Sequence, residues 1–153
     1  MRIRIATIAD IPTLKSLYYD TITTINALDY NEEQILAWAS TAENIASLET
    51  KILEQYFIAA ENEAGIITGF ASLDNQKGYL DVLYVHRDFQ RMGIASLLLQ
   101  SLLEKAKQMN IIEITTDASI TAKPFFEKNG FQVVKEQTVV VKGVPMMNFK
   151  MKR

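Results

Sequence analysis

Asp81 is the one acid in an otherwise apolar run, Tyr79-Leu80-Asp81-Val82-Leu83-Tyr84-Val85. A carboxylate so placed can take a proton from a substrate ammonium, directly or through a water. A few residues later, Gln90-Arg91-Met92-Gly93-Ile94-Ala95 can do a different chemistry. A short loop that opens a helix presents backbone N–H groups without intrahelical partners, and the helix dipole adds partial positive charge there. Such a loop holds phosphate oxygens without needing lysine. Gly93 has no Cβ, so a phosphate can come close to the backbone. On these residues alone the simpler readings stay open: a plain turn, and an acid paired with a nearby Lys or Arg. The competing phosphate fingerprints are missing, since no Gly-Lys-Ser/Thr ending and no three-glycine dinucleotide pattern occurs.

Positioning these groups takes a strand before the loop and a helix after it. Period-two alternation over 79–85 predicts a strand with Tyr79, Asp81, Leu83 and Val85 on one face and Leu80, Val82 and Tyr84 on the other. Residues 94–108 predict an amphipathic helix with Ile94, Leu97, Leu98, Leu102 and Ala106 in one stripe. A strand at 111–116 then closes a parallel pair through a right-handed crossover. Upstream, residues 2–6 alternate as a strand, and Asp10 caps a helix running from Ile11-Pro12 towards Ile25. Asn31 opens a second helix carrying Ile35, Leu36 and Trp38, and a third spans 43 to about 53. Strands follow at 56–61 and 66–73 around a turn at 62–65. Downstream, Thr121 caps a helix that keeps Pro124 in its first turn and ends at Gly130. Strands at 131–141 and 146–152 flank residues 142–145. The expected fold is α+β: one domain over 1–153 with a mixed, mainly antiparallel sheet of about seven strands, flanking helices and one parallel βαβ pair.

Gln90-x-x-Gly93-x-Ala95 after a strand ending in Val85 resembles the coenzyme A loop of the GNAT (GCN5-related N-acetyltransferase) superfamily. A second block follows, Ser119-Ile-Thr-Ala122-Lys-Pro-Phe-Phe126-Glu-Lys-Asn-Gly130-Phe131. It resembles the superfamily's next block, usually Asn-x-x-Ala-x-x-x-Tyr-x-x-x-Gly-Phe. With Asp117 and the Tyr79-Leu-Asp81 run, the chain looks most similar to the bacterial YafP-like branch. The resemblance implies an N-acyltransferase that takes acetyl from acetyl-CoA to the amine of a small molecule, by direct attack in a ternary complex. It implies that the backbone of Leu83, Tyr84 and Val85 bonds the pantetheine arm. It places the pyrophosphate on Gln90, Arg91, Met92, Gly93, Ile94, Ala95 and Ser96. Ser119 stands where the family has an asparagine that reaches the arm. Asp81 takes the role of base.

Phe126 stands where the family commonly has a tyrosine that protonates the departing thiolate, in a place expected to lie open to the cofactor sulfur. Phenylalanine cannot donate a proton. Tyr79, which shares the expected face of Asp81, is one substitute. A water is another, and unassisted departure of a thiolate is a third. The same substitution keeps a second function in view, a non-catalytic CoA-binding sensor or regulatory domain.

Composition narrows the rest. A net charge of −2 argues against a nucleic-acid surface, which needs clustered Lys and Arg. The absence of cysteine and the single histidine remove thiolate catalysis and disulfides, and argue against a metal centre. No segment has the apolar length of a membrane span, so a cytoplasmic protein without a membrane partner is expected. Tyr18, Tyr19, Tyr30 and Trp38 either line an acceptor pocket or pack in the core. Val139-Val140-Val141 reads as a paired or swapped edge, as in a homodimer.

Overall fold

A computed structural model describes residues 1–153. The first half holds β1 (Arg2–Ile5), α1 (Ile11–Thr24), α2 (Glu32–Ser40), α3 (Ile45–Glu54), β2 (Tyr56–Glu61) and β3 (Ile67–Asp74). The second holds β4 (Tyr79–Val85), α4 (Ile94–Gln108), β5 (Thr115–Ser119), α5 (Lys123–Lys128), β6 (Gln132–Val141) and β7 (Val144–Lys152). All seven strands join one sheet in the order β1-β2-β3-β4-β5-β7-β6. Every pairing is antiparallel except β4 with β5. The α+β expectation is met.

The sheet is covered on both faces. Ile94, Leu98, Leu99, Leu102 and Ala106 of α4 pack with Ile58, Ala71, Leu73 and Leu80 on one side. Ile11, Leu14 and Leu17 of α1 pack with Phe57, Ala59 and Phe70 on the other. Consecutive residues of β2 thus serve opposite layers, as the pleat requires. The α4 stripe differs from the expected one at a single position. Leu97 is 37% exposed, while Leu99 is fully buried. At about 100° per residue the buried arc runs from Ile94 through Leu98, Leu102 and Ala106 to Leu99, and Leu97 falls outside it.

Close packing between α4 and the sheet requires a glycine in β3. A Cβ built on Gly69 would sit 2.9 Å from the Tyr84 carbonyl oxygen, 3.0 Å from Leu98 Cδ1 and 3.1 Å from Ile94 Cγ2. No larger residue fits without displacing the helix.

Three sequence expectations need correction. The strand expected at 111–116 lies at Thr115–Ser119. Ile112 is 98% exposed. Ile114 exchanges backbone bonds with Arg153 at 3.1 and 2.9 Å, and the Thr115 N–H reaches the Gly78 carbonyl at 2.9 Å. These bonds fix where the crossover rejoins the sheet, and hydrophobicity alone does not. The connection expected at 142–145 is tighter. Only Lys142 and Gly143 turn, with φ of 50° and 80°, the left-handed pair that matches strand twist. Pro145 therefore lies inside β7, beside Val140 and before β5 pairing begins at Asn148, where one edge is free. Thr121 does not cap α5. Ser119 Oγ accepts the Ala122 N–H at 3.0 Å instead, and Thr121 Oγ1 is buried without a partner.

The fourth correction matters most for function. Opposite β3, Ser72 pairs with Val82 and Leu73 with Leu80, so Asp81 is an extra residue in β4. The bulge breaks the expected alternation. Leu80, Leu83 and Val85 belong to the α4 layer. Val82 and Tyr84 belong to the α1 layer, and the Asp81 carboxylate reaches the α3 side. Asp81 therefore does not share a face with Leu83 and Val85.

The start of α1 is pinned to the first strands by ions. Asp10 occupies the N-cap position, but its carboxylate accepts two bonds from Arg4 at 2.8 and 2.9 Å and one from the Thr7 N–H at 2.8 Å. Arg4 also reaches Glu61 at 2.8 Å. The Arg4 guanidinium holds the Asp10 carboxyl below its usual range. A group whose folded pKa is depressed stabilises the fold above its unfolded pKa, near 4 for Asp, and loses that contribution as pH falls. Arg4→Met is expected to cost about 1 kcal/mol at pH 7, or roughly 3 °C in melting temperature. The gap between variant and parent should close as pH is lowered towards 3. A gap that stays constant in a pH series of thermal melts would mean the pair contributes through packing alone.

Candidate active site

The parallel pairing of β4 with β5 stops almost as soon as it begins. Only Tyr79 with Thr115 and Leu80 with Thr116 are partners. Beyond them the strands part, and the β5-facing backbone edge of residues 81–85 has no strand beside it. Buried backbone groups need partners from somewhere. The Val85 carbonyl takes Thr21 Oγ1 at 3.0 Å and Gln90 Nε2 at 2.7 Å, and the Leu80 carbonyl takes Thr116 Oγ1 at 2.9 Å. The result is a slot in the sheet, with β4 as one lip and the end of β5 as the other.

The slot leads to the loop. After Val85 the chain makes a short 3-10 turn (Arg87–Phe89) and enters α4 at Ile94. Arg91 and Gly93 both have positive φ, 59° and 81°. Gly93 is the N-cap of α4 and carries no side-chain cap. A Cβ on Gly93 would meet nothing within 4 Å, so the turn faces open space. Alternating left-handed residues aim successive N–H groups towards one side, and α4, fifteen residues long, adds its dipole. Arg91, Met92, Gly93 and Ser96 are exposed, while the Ile94 side chain is buried in the core. The Gln90 side chain is spent internally on the Val85 and His86 carbonyls. Its part is to shape the loop.

On the other layer stands Asp81. Its carboxylate accepts Gln55 Nε2 at 2.8 Å and lies 3.3 Å from Lys51 Nζ. Gln55 in turn accepts the Ser72 hydroxyl at 2.7 Å. The acid is thus both the bulged residue at the slot's mouth and half of an ion pair with α3. Its side chain retains 18% exposure, enough for a water or an amine to reach it. Tyr84 packs edge-on to Tyr18 at 4.9 Å, and Tyr30 edge-on to Trp38 at 5.5 Å. Burial pushes the phenols of Tyr18 and Tyr30 up. It pushes that of Tyr84 well above the usual range, with Tyr18 adding to the effect. These rings form one aromatic wall over Ile22, Ile35 and Ala39, with Tyr18 and Tyr84 its members within electrostatic reach of Asp81, while Tyr19 points outward, 47% exposed.

Tyr79 lies where the sheet is still closed. Its hydroxyl donates to Asp117 Oδ2 at 2.7 Å, and Asp117 Oδ1 accepts Gln137 Nε2 at 2.8 Å. Burial, then the bond to Asp117, raises the Tyr79 phenol far above its ordinary value. Its proton is directed at a carboxylate and away from the slot. Phe126 is not open to the slot either. It is 3% exposed, packed edge-on between Phe125 and Phe131 in the α4 layer. Ser119 closes β5 at the far lip, its oxygen holding the start of α5.

The structure therefore joins Leu83, Tyr84 and Val85 to the 90–96 loop, and sets Asp81 and Ser119 on the slot's two lips. It leaves Tyr79 and Phe126 outside. Sequence reasoning missed Thr21, Lys51, Gln55 and Asp117. Polar residues in and just after α1 and α3 look solvated in a helical pattern, and nothing local marks the contacts of Thr21, Lys51 and Gln55 with β4 or of Asp117 in β5 with Tyr79.

An acetyltransferase (GNAT) domain model matches residues 26–153. The uncharacterized N-acetyltransferase YafP of Escherichia coli (strain K12) is 36% identical over 143 residues, covering 94% of this chain and 89% of that protein. A GCN5-related N-acetyltransferase from Rhodopseudomonas palustris superposes with a TM-score of 0.94 at 30% identity, covering 99% of this chain and 94% of the other. The PaiA N-acetyltransferase of Thermoplasma acidophilum, solved with coenzyme A, shares the fold at a TM-score of 0.80 and 23% identity over 99% and 97% of the two chains. The split sheet, the left-handed turn at the head of α4 and these likenesses agree: the chain belongs to the GNAT N-acetyltransferase family.

Proposed function

We propose that the protein transfers an acyl group, acetyl above all, from acyl-CoA to the amine of a small molecule by direct attack. The single observation that carries this reading is the slot between β4 and β5 running into the turn at Arg91–Gly93. A linear amide-bearing arm fits an unpaired strand edge, because it can supply the hydrogen bonds that β5 does not. A pyrophosphate fits the turn, where Gly93 leaves space for it and exposed N–H groups face it. Leu83, Tyr84 and Val85 hold the arm, and residues 91–96 hold the phosphates. Bound there, acyl-CoA supplies an acyl carbon already activated as a thioester. Asp81 receives the proton of the acceptor ammonium, directly or through water, beside the aromatic wall of Tyr18, Tyr84 and Trp38. Gln55 and Lys51 keep the carboxylate oriented. A thiolate leaves without help from Phe126, since that ring has neither a proton to give nor access to the slot.

Gly93→Glu tests the phosphate site. Left-handed φ adds strain of about 1–2 kcal/mol, and open space around the position keeps the fold intact. A carboxylate placed where phosphate binds is expected to abolish CoA binding in isothermal titration. Coenzyme A at a hundred times its dissociation constant should stabilise the parent by about 2.7 kcal/mol and leave the variant unmoved. Equal stabilisation of both would place the phosphates elsewhere.

Asp81→Asn tests the base. Turnover at neutral pH with a panel of primary amines is expected to fall by about 10²-fold, with CoA affinity kept. Part of the loss should return at high pH, where the amine deprotonates unaided. An unchanged rate and pH profile would leave Asp81 as a partner for Lys51 only. CoA binding without turnover on any amine, in parent and variant alike, would favour a CoA-responsive binding protein.

A further inference from the structure

We infer that residues 21–30, the last turn of α1 with the connection to α2, form a clasp that sets the width of the slot, with Thr21 and Tyr30 as its two positioning residues. This rests on the reading of the slot as the seat of the pantetheine arm. Each lip of the slot is tied to that one stretch. On the β4 side, Thr21, 4% exposed, donates to the Val85 carbonyl at 3.0 Å, a group that the departing β5 leaves without a strand partner. On the far side, the Ile120 N–H, one residue past β5, donates to Tyr30 Oη at 2.9 Å. Tyr30 Oη passes its own hydrogen to the Met147 carbonyl of β7 at 2.8 Å. One phenol therefore holds β7 and the start of the β5–α5 connection together.

Between the two ties the stretch is well anchored. Ile22 is fully buried with Ile35 and Ala39, and Tyr30 and Trp38 pack against them. Asn26 is buried in a 3-10 turn, Asn26–Leu28. A stiff connection fixed at both ends transmits a separation, whereas a slack one does not. The bonding partners of the clasp are Val85, Ile120 and Met147, none of them in the turn at 91–93. The Val85 carbonyl keeps its bond from Gln90 Nε2 at 2.7 Å when the Thr21 hydroxyl is removed, so the turn stays tied while the arm's channel loses its clasp, a signature that general destabilisation lacks.

The experiment titrates CoA, and separately adenosine 3′,5′-bisphosphate (which lacks the arm), into the parent, Thr21→Val, Thr21→Ser and Tyr30→Phe. Both Thr21→Val and Tyr30→Phe are expected to weaken CoA by about fivefold, the scale of one hydrogen bond, while the nucleotide binds as in the parent. Thr21→Ser keeps the hydroxyl and should bind CoA normally. With acetyl-CoA, KM should rise in the weakened variants while kcat holds. CoA affinity unchanged in either folded variant, or CoA and nucleotide weakened together, overturns the clasp. Should Tyr30→Phe not fold, the contrast between Thr21→Val and Thr21→Ser decides alone. A parent that binds no CoA removes the reading of the slot along with this one; a parent that binds, with variants that bind equally, removes only the clasp.

Discussion

One extra residue in β4 is the constraint from which the rest follows. Asp81 has no counterpart in β3, so β4 bends and twists just where β5 joins it. Two residue pairs form, and then the strands diverge. Five residues of β5 remain held by β7 on the other side, so β5 cannot follow the bend. A sheet that opens in its middle exposes backbone that a continuous sheet would satisfy. Side chains make good part of the deficit, Thr116 at Leu80 and Thr21 with Gln90 at Val85. The remaining edge is what a ligand can use, and the residue that causes the bulge is also the acid beside it.

Much of this was legible in the residues and some was not, for physical reasons. The junction of strand, turn and helix at 79–108 shows itself because Gly93 and the leucines of α4 follow from local geometry. The hairpins and the caps at Asn31 and Gly130 are local too. A bulge is different: alternation assigns faces by counting, and a single extra residue reverses the count without leaving a mark in composition. Leu83 and Val85 therefore looked like face-mates of Asp81 when they lie on the α4 side, while Tyr79 lies in the closed part of the sheet with its hydroxyl bonded to Asp117. Ile111 and Ile112 looked like a strand because they are apolar, yet the crossover length puts pairing at Thr115. Phe126 sits at the family's spacing, but the helix turns it towards Phe131 and the core.

The electrostatics of the site come from dipoles and from a few placed charges. No lysine lines the turn at 91–93, and its positive field comes from N–H groups, the axis of α4 and the exposed Arg91. On the opposite layer burial pushes the phenols of Tyr18, Tyr30 and Tyr84 up, and Asp81 adds to the effect at Tyr18 and Tyr84. The cation already paired with this acid is Lys51, at 3.3 Å.

Gly69 extends the site beyond its visible outline. It touches neither the turn nor Asp81, but it lets Ile94, the first residue of α4, come down onto the sheet beside the Tyr84 carbonyl. The height of the helix above β4 is therefore set by a missing side chain on a strand that carries no chemistry. The slot is bounded by β4, and the turn at 91–93 opens α4, so the distance between slot and turn is gauged at this contact. Residue 69 is thus a spacer of zero thickness, and the measure it sets is the span from the open edge of β4 to the head of α4.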